Sequence, residues 1–397
     1  MTIRLYYQDA YLTEFDAQLV HAIAGEKNTT GIVLDRTCFY PTSGGQPCDL
    51  GVLLSQPVFD VQEQDGDIVH WIKGHIEAAD VHGRIDWSRR LDHMQQHTGQ
   101  HILSQAFIKL LQAETVSFHL GAESSTIDIA RAMLDDAEVR AVERLANEVV
   151  LSDRPVSARF VAVDQLGDLD LRKMPSVDKD IRIVQVEGFD QTPCGGTHCA
   201  RTGEVGPIAI RKIENRGQET RVEFLCGWRA LQDYQWKAAA VNELALTFSI
   251  KDTELPDTVL RLRDENAACR RELAHLREEF LDVEAERLLA AATEWRNKRL
   301  VVQAFWDRDA QEIRRLASRL TEGPATIALL GIGGERARLV FARSQDLELD
   351  VAALLRETCQ ALGGSGGGQP GMAQGGGFAG EHLEEALQAA YHSLTAR

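Results

Sequence analysis

Two histidine-bearing segments far apart in the chain carry side chains suited to a single metal ion. His97 and His101 lie four residues apart, so on a helix both imidazoles project from the same face. Cys194 and His198 flank the glycine pair Gly195-Gly196, which lets the backbone turn and the two side chains converge. Three imidazoles and one thiolate are a donor set that zinc takes in tetrahedral sites. We therefore predict one zinc ion per chain, bound by these four side chains.

Alternatives to this ligand set lie close by. His93 precedes the first pair by four residues on the same helical face, and Cys199 directly follows the second pair. A helical histidine pair by itself is also compatible with a coincidence on the surface or in the core. A zinc metalloprotease places glutamate directly after its first histidine as the general base, whereas Thr98 and Gly99 occupy the positions after the first histidine here. Peptide hydrolysis by that mechanism is not expected.

The composition is that of an acidic, soluble, multidomain protein. The chain has 397 residues with a formal net charge of −17, and its seven cysteines are an odd number without the density of a disulfide scaffold. No stretch is apolar enough for a signal sequence or a membrane span, so we expect a cytoplasmic protein of two to four domains with reduced thiols. The negative charge disfavours general affinity for nucleic acid, and any such contact must be local.

Two segments are candidates for a local contact with nucleic acid. The loop at residues 39–47 is rich in glycine, and its backbone amides could meet a phosphate or simply form a tight turn. The segment at residues 211–221 places four basic residues among two acidic ones beside a glycine, which also fits a solvated charged turn. The candidate residues for RNA contact are Gly44, Gly45, Gln46, Arg211, Lys212, Asn215, Arg216 and Arg221.

The pattern of apolar residues predicts an α+β fold in four parts. These are a β-rich domain with the glycine-rich loop at 1–88, a zinc-binding α+β domain at 89–235, a helical, coiled-coil-like segment at 236–299, and a small glycine-rich α/β domain at 300–397. Within the second part we expect helices near 91–112 and 135–151 and strands near 115–130, 157–163, 181–187, 207–213 and 220–225.

A long helix is predicted from residue 257 to about 295, because apolar residues there alternate three and four apart. Asn266 and Arg287 fall on the same seam, which packs against either its own chain or a second subunit. A homodimer through this helix and the C-terminal domain is one expectation. The glycine run at 363–377 is expected to form a loop folded against its own domain, with amides available to an anion.

Several of these segments resemble the editing domain of alanyl-tRNA synthetases and the free-standing alanyl-tRNA editing proteins called AlaX. The resemblance is carried by His97-Thr98-Gly99-Gln100-His101, by 116–121 with 125–128, by Cys194-Gly195-Gly196-Thr197-His198, by 202–206 and by the 39–46 loop. The glycine-rich C-terminal part is similar to the DHHA1 domain of the long AlaX form. Residues 1–88 leave no room for an ATP-dependent aminoacylation domain, so a free-standing editing protein is expected.

The resemblance implies hydrolysis of the ester that joins serine, or glycine, to the end of alanine tRNA. The family's zinc ligands carry over onto His97, His101, Cys194 and His198. Thr98 is a candidate for a hydrogen bond to the substrate hydroxyl, with a bond to its own helix backbone as the alternative. His119, where many synthetase relatives have glutamine, is a candidate for orienting water or the terminal ribose.

Two other function classes remain open at this point. The zinc could be structural in a tRNA-binding protein without chemistry, or the chain could be a metal-dependent esterase acting on a small molecule. Release of serine from mischarged alanine tRNA separates editing from the first class. Failure of small serine esters as substrates separates it from the second.

Overall fold

The computed structural model describes residues 1–26, 28–174, 179, 181–306 and 308–396. Helices and strands both contribute to the fold, so the predicted α+β fold class is confirmed. The chain divides into two compact units, Met1–Asp252 and Thr253–Arg397. The predicted domain boundaries near residues 88, 235 and 299 remain predictions.

The first unit begins with a closed, six-stranded antiparallel barrel with strand order β2-β3-β7-β6-β5-β8. Its strands are β2 (Glu14–Ala24), β3 (Thr29–Leu34), β5 (Gly51–Leu53), β6 (Gln56–Gln64), β7 (Asp67–Lys73) and β8 (Asp80–Ile85), and the short β1 (Ile3–Arg4) pairs in parallel with β4 (Arg36–Thr37). Val81 and Ile85 of β8 are buried, and Phe15 of β2 packs over Gly83, where a Cβ atom would lie 2.4 Å from the ring. Closure leaves no exposed sheet edge.

The long helix α1 (Trp87–Leu111) follows the barrel directly. It begins at Asp86, whose carboxylate accepts the backbone N–H of Arg89 at 3.2 Å. Every residue from position 93 to 104 is buried, so the helix is enclosed on all sides. Gly99 is required by a close approach, because a Cβ atom there would lie 2.2 Å from Sγ of Cys226. The polar side chains of this enclosed helix must therefore find partners within the protein.

Two antiparallel sheets and two further helices surround α1. The elements are β9 (Thr115–Leu120), β10 (Ser125–Ile129), α2 (Asp136–Leu151), β11 (Val156–Val161), β12 (Ile181–Val186), β13 (Asp190–Pro193), β14 (Ile208–Arg216), β15 (Glu219–Cys226) and α3 (Gly227–Phe248). One sheet has the order β14-β15-β10-β9 and the other the order β11-β12-β13. A common core joins α1 and α2 to the first sheet through Ile102, Val142 and Phe224. β13 ends one residue before Cys194, so it delivers the second metal-binding segment to α1.

The second unit is built on a six-stranded sheet of order β16-β17-β18-β19-β21-β20, in which only the β17–β18 pair is parallel. Its elements are α4 (Leu255–Ala290), β16 (Thr293–Trp295), β17 (Lys298–Phe305), α5 (Ala310–Leu320), β18 (Thr326–Ile332), β19 (Arg336–Arg343), α6 (Val351–Ala361), β20 (Ser365–Gln369), β21 (Met372–Ala379) and α7 (Leu383–Thr395). The buried strand β18 lies between two apolar cores, one of which contains α6 and α7 and the other α5 and the end of α4.

Two expectations for this unit are corrected. The long helix ends at Ala290, and Trp295 already lies in a strand that pairs with β17. The glycine run forms the edge hairpin β20–β21 and not a loop, and at Gly366 and Gly375 close contact with α6 leaves no space for a side chain. A Cβ atom at Gly366 would lie 2.3 Å from Leu355. None of the helices among the described residues is long and apolar enough to span a membrane.

Candidate metal centre

The four predicted ligands come together in the structure. One ligand atom from each of His97, His101, Cys194 and His198 lies within 4.8 Å of the other three. The sulfur of Cys194 is 3.4 Å from Nε2 of His97 and 3.3 Å from Nε2 of His198. The three histidines are buried and the cysteine is half-buried. These side chains form a cluster that could hold a metal ion, and we call it the metal cluster.

Local backbone structure explains how two distant segments meet. Helix α1 presents His97 and His101 one turn apart, as their spacing predicts. In the opposing segment, Nη1 of Arg182 donates to the carbonyl oxygens of Cys194 and Gly196, both at 2.9 Å, and so fixes the turn. Gly196 packs against the His97 ring, and a Cβ atom there would lie 2.2 Å from Cε1. Only glycine allows this approach.

Each imidazole has a polar atom near its Nδ1, from a different part of the chain in each case. Oε1 of Gln46 lies 2.8 Å from Nδ1 of His97. Oγ1 of Thr98 lies 3.1 Å from Nδ1 of His198. Oδ2 of the buried Asp190 lies 3.4 Å from Nδ1 of His101. Metal-binding histidines characteristically use their second nitrogen in this way, which orients the ring and leaves Nε2 for the ion.

The protonation states of two of the four side chains also suit a cation. Although burial opposes ionisation of the thiol, the imidazoles of His97, His198 and His101 hold the pKa of Cys194 well below its usual range. Burial lowers the pKa of His198 to about 3, so this ring is neutral near pH 7. A thiolate and a neutral imidazole are the forms that bind metals. A tetrahedral zinc site separates its nitrogen and sulfur ligands by roughly 3.3 to 3.6 Å. The distances from the Cys194 sulfur to Nε2 of His97 and of His198 match this range.

The alternative ligands lie outside the metal cluster. Among the described residues, His93 and Cys199 do not join the group of possible metal ligands. Burial lowers the pKa of His93 to about 3, and its Nδ1 has no hydrogen-bond partner among those residues. Burial raises the pKa of the Cys199 thiol to about 12, so it stays protonated. Cys194 is the thiol placed for metal binding.

The metal cluster opens onto a cleft of about 280 Å³. Tyr40, Ser43 and Gly44 come from the N-terminal loop, and β9 contributes Thr115 to Phe118. The other lining residues are His97, Gln100, His101, Arg172, Lys173, Thr192, Pro193, Cys194, Gly195 and Gly196. No carboxylate lines this cleft among the described residues. A small ligand in the cleft can therefore reach the metal cluster and two cationic side chains.

The two residues predicted to act in catalysis lie outside the cleft lining. The hydroxyl of Thr98 is fully buried, contacts His198, and accepts the backbone N–H of Cys199 at 3.0 Å. It thus supports the candidate ligand His198 from behind, and among the described residues it makes no bond to the backbone of its own helix. His119 is exposed, whereas its neighbour Phe118 packs 5.3 Å from the His97 ring, because side chains alternate along β9. The catalytic roles of Thr98 and His119 stay predictions, and neither side chain lines the cleft.

The three loop residues proposed to contact tRNA have different surroundings. Gly44 has a φ of +56° and open space around it at the edge of the cleft. Gly45 packs against the backbone of β9, and a Cβ atom there would lie 2.7 Å from the carbonyl oxygen of Phe118. Gln46 is fully buried, and besides its contact with His97 it donates to Oγ1 of Thr197 at 2.9 Å. Gln46 is therefore directed at the metal cluster, and its contact with tRNA stays a prediction.

The basic candidates lie on the β14–β15 hairpin and are paired with acidic groups. Arg221 bonds both oxygens of Asp128 at 2.7 Å. Lys212 and Arg216 both contact Glu214, and Arg211 lies 3.4 Å from Glu223 and Asp233. Asn215 donates to the carbonyl oxygen of Ala132. The contact of these residues with tRNA stays a prediction. It requires tRNA phosphates to replace the carboxylates that pair with the basic side chains.

Sequence reasoning missed several residues of the site. Asp190 and Arg172 were not predicted, although metal-binding histidines often pair their second nitrogen with a carboxylate. Arg182 and Phe118 were missed because their roles depend on which strands pair. Strand register across β9 and β10 is not readable from local pattern alone.

Comparison with protein families matches three parts of the chain. Residues 5–89 match the model for tRNA synthetases class II (A), residues 181–223 match the threonyl and alanyl tRNA synthetase second additional domain, and residues 297–396 match the DHHA1 domain. The second match contains Cys194 and His198, and the first contains Gln46. The three matches follow the same order as the segments that carry the resemblance.

Individual relatives extend over nearly the whole chain. The alanine–tRNA ligases of Pyrococcus abyssi and Methanobrevibacter smithii are 31% and 30% identical over 94% and 97% of this chain. The chain spans only 42% and 45% of those ligases. The alanyl-tRNA editing protein AlaX-L of Pyrococcus horikoshii is 33% identical, and the match covers 94% of both proteins. The chain therefore belongs to the family of alanyl-tRNA editing proteins, in the AlaX long form.

Proposed function

We propose that this protein hydrolyses the ester bond between a wrong amino acid and alanine tRNA, with serine as the main substrate and glycine as the second. The observation that carries the proposal is the metal cluster, which opens onto a cleft in a member of an editing family. The cleft exposes apolar and cationic side chains beside the cluster. That combination suits a nucleotide end that carries both an aminoacyl ester and phosphate.

We propose zinc as the ion bound by His97, His101, Cys194 and His198, one per chain. The three-nitrogen, one-sulfur donor set and the buried Nδ1 partners support this choice. When bound, zinc supplies Lewis acidity that can polarise the ester carbonyl or lower the pKa of a water molecule. Four protein ligands would close the site, so a catalytic role requires one of them to yield or the coordination to expand.

The residues of the chain have distinct parts in this proposal. Gln46, Thr98 and Asp190 hold the three imidazoles in place, so the cluster is preorganised before substrate arrives. Phe118 and Val116 give the cleft an apolar wall that excludes water from the ester. The hairpin residues Arg211, Lys212, Asn215, Arg216 and Arg221 remain our candidates for contacts with the tRNA backbone.

The deciding experiment is deacylation of alanine tRNA charged with serine, glycine or alanine. We expect serine to be released by the zinc-loaded protein and alanine to be retained. His97→Ala and Cys194→Ala should abolish release while circular dichroism shows an intact fold, with Cys359→Ala as a buried cysteine control far from the cluster in sequence. Binding of tRNA without serine release would favour a non-catalytic zinc protein. Equal hydrolysis of small serine esters would favour a general esterase.

We also propose a homodimer through the 257–295 segment and the C-terminal domain. Helix α4 exposes apolar residues at helical spacing, including Leu273, Leu276, Phe280 and Val283, which are 49%, 53%, 54% and 65% exposed. Light scattering should report twice the mass of the chain. Leu276→Glu should shift that mass to the monomer, whereas Glu272→Gln on the same helix should not.

A further inference from the structure

Arg172 is a largely buried arginine at the cleft, and only one nitrogen of its guanidinium donates hydrogen bonds to described residues of the protein. Its Nε atom donates to Oδ1 of Asp190 at 2.9 Å and to Oγ1 of Thr192 at 2.8 Å. The side chain is 8% exposed and lines the cleft. Within the described residues, Nη1 and Nη2 have no hydrogen-bond partner, and neither is completely buried. These two nitrogens are therefore available to a ligand in the cleft.

Asp190 ties this arginine to the metal cluster. One oxygen of the carboxylate accepts from Arg172, and the other lies 3.4 Å from Nδ1 of His101. The carboxylate is fully buried, so its position is fixed from both sides. The Asp190 carboxylate thus lies between the guanidinium of Arg172 and His101, a candidate metal ligand. An anion bound by Arg172 would lie close to any group that reaches the cluster.

The local charge favours an anion at this point. Lys173 is exposed next to Arg172 and also lines the cleft, while Asp190 offsets only one of the two positive charges. No described acidic side chain lines the cleft, although the whole chain has a formal net charge of −17. The described lining of the cleft thus carries positive charge and no carboxylate, which favours a negatively charged ligand.

We propose that Arg172 binds the phosphate on the 5′ side of the terminal adenosine and thereby positions the ester at the metal cluster. The proposal rests on the proposed function, because it assumes an aminoacylated nucleotide as substrate. Ester and phosphate are carried by the same ribose, which matches the close spacing of Arg172 and the cluster. The planar fork of arginine can contact two phosphate oxygens at once, whereas Lys173 adds a point charge. Arg172 would then determine specificity for a nucleotide over a nucleoside.

Binding of two non-hydrolysable analogues tests this assignment. The probes are 3′-serylamino-3′-deoxyadenosine and its 5′-phosphate, titrated into the zinc-loaded full-length chain by calorimetry. We expect wild type to bind the phosphate form about 10-fold or more tightly, as a charge-assisted hydrogen bond allows. Arg172→Gln should reduce that ratio to about one, and Arg172→Lys should keep part of it. Arg140→Gln, an exposed charge on α2 in a different groove, should leave the ratio unchanged.

Other outcomes overturn the proposal. If Arg172→Gln weakens both analogues equally, the arginine acts only through Asp190 and His101. If wild type binds both analogues equally, or binds neither, no phosphate site exists here. The binding ratio is measured without turnover, so its failure is separate from failure of the deacylation assay. A chain that shows the ratio but releases no serine would contradict the proposed function and leave the phosphate site standing.

Discussion

Replacement of Gln46 by alanine should weaken zinc binding, although Gln46 lies in the N-terminal loop. Gln46 is fully buried; its Oε1 lies 2.8 Å from Nδ1 of His97 and 3.3 Å from the backbone nitrogen of Thr197, and its Nε2 lies 2.9 Å from Oγ1 of Thr197. Loss of a group that orients a metal ligand typically reduces metal affinity about 10- to 100-fold. That range corresponds to roughly 1.4 to 2.7 kcal/mol.

The same substitution should also destabilise the metal-free protein. Gln46→Ala leaves buried donors on His97 and Thr197 without acceptors, which costs about 1 to 3 kcal/mol. The assay is competition for zinc with a chromophoric chelator, followed by urea denaturation of the chelated protein. Gln46→Glu keeps the oxygen that faces His97, so we expect its zinc affinity to stay within several-fold of wild type. Unchanged zinc affinity in Gln46→Ala, together with weaker tRNA binding, would refute this reasoning and support Gln46 as an RNA contact.

Three further outcomes follow from the described contacts. Thr98→Val should lower the free energy of unfolding by about 1 to 3 kcal/mol in urea denaturation, and Thr98→Ser should not, because only valine leaves a buried imidazole and a backbone N–H unpaired; equal stabilities would contradict this. His93→Ala and Cys199→Ala should retain one zinc per chain by elemental analysis, and loss of zinc in either would relocate a ligand. Arg221 lowers the pKa of Asp128 to about 2. The ion pair therefore stabilises the fold at pH values above the pKa of Asp128 in the unfolded chain, and this stabilisation is lost as the pH falls through about 2. Asp128→Asn should therefore cost about 1 kcal/mol at pH 7, discounted for solvent exposure, and less as the pH falls from about 4 to 2; a difference independent of pH would argue against the pair.

The metal cluster was predictable because its main signals are local. A spacing of four on a helix fixes the relative direction of His97 and His101 without any knowledge of tertiary structure. The glycine pair between Cys194 and His198 likewise indicates a tight turn. The nitrogen and sulfur donors of the two segments together make up a complete ligand set for zinc. Two distant motifs could therefore be assigned to one ion from their chemistry alone.

The contacts around the cluster were not predictable in the same way. Gln46 reaches His97 across 51 positions of sequence, and that approach depends on how the barrel loop meets α1. Phe118 was not singled out because the face of β9 that points to the cleft is set by strand pairing. The acidic partners of Arg211 and Arg221 could not be identified from sequence because Asp128, Glu223 and Asp233 lie on other elements. Because α1 is enclosed on all sides, Thr98 is buried, whereas a helix on the surface exposes one of its faces.

X-ray absorption at the zinc edge of the purified protein tests the central claim most directly. We predict one ion with three nitrogen ligands at about 2.0 to 2.1 Å and one sulfur ligand at about 2.3 Å. Cys194→Ser should remove the sulfur contribution, and Cys199→Ser should leave it in place. A shell of oxygen ligands alone, or a sulfur signal that survives Cys194→Ser, would contradict the assignment of the metal cluster.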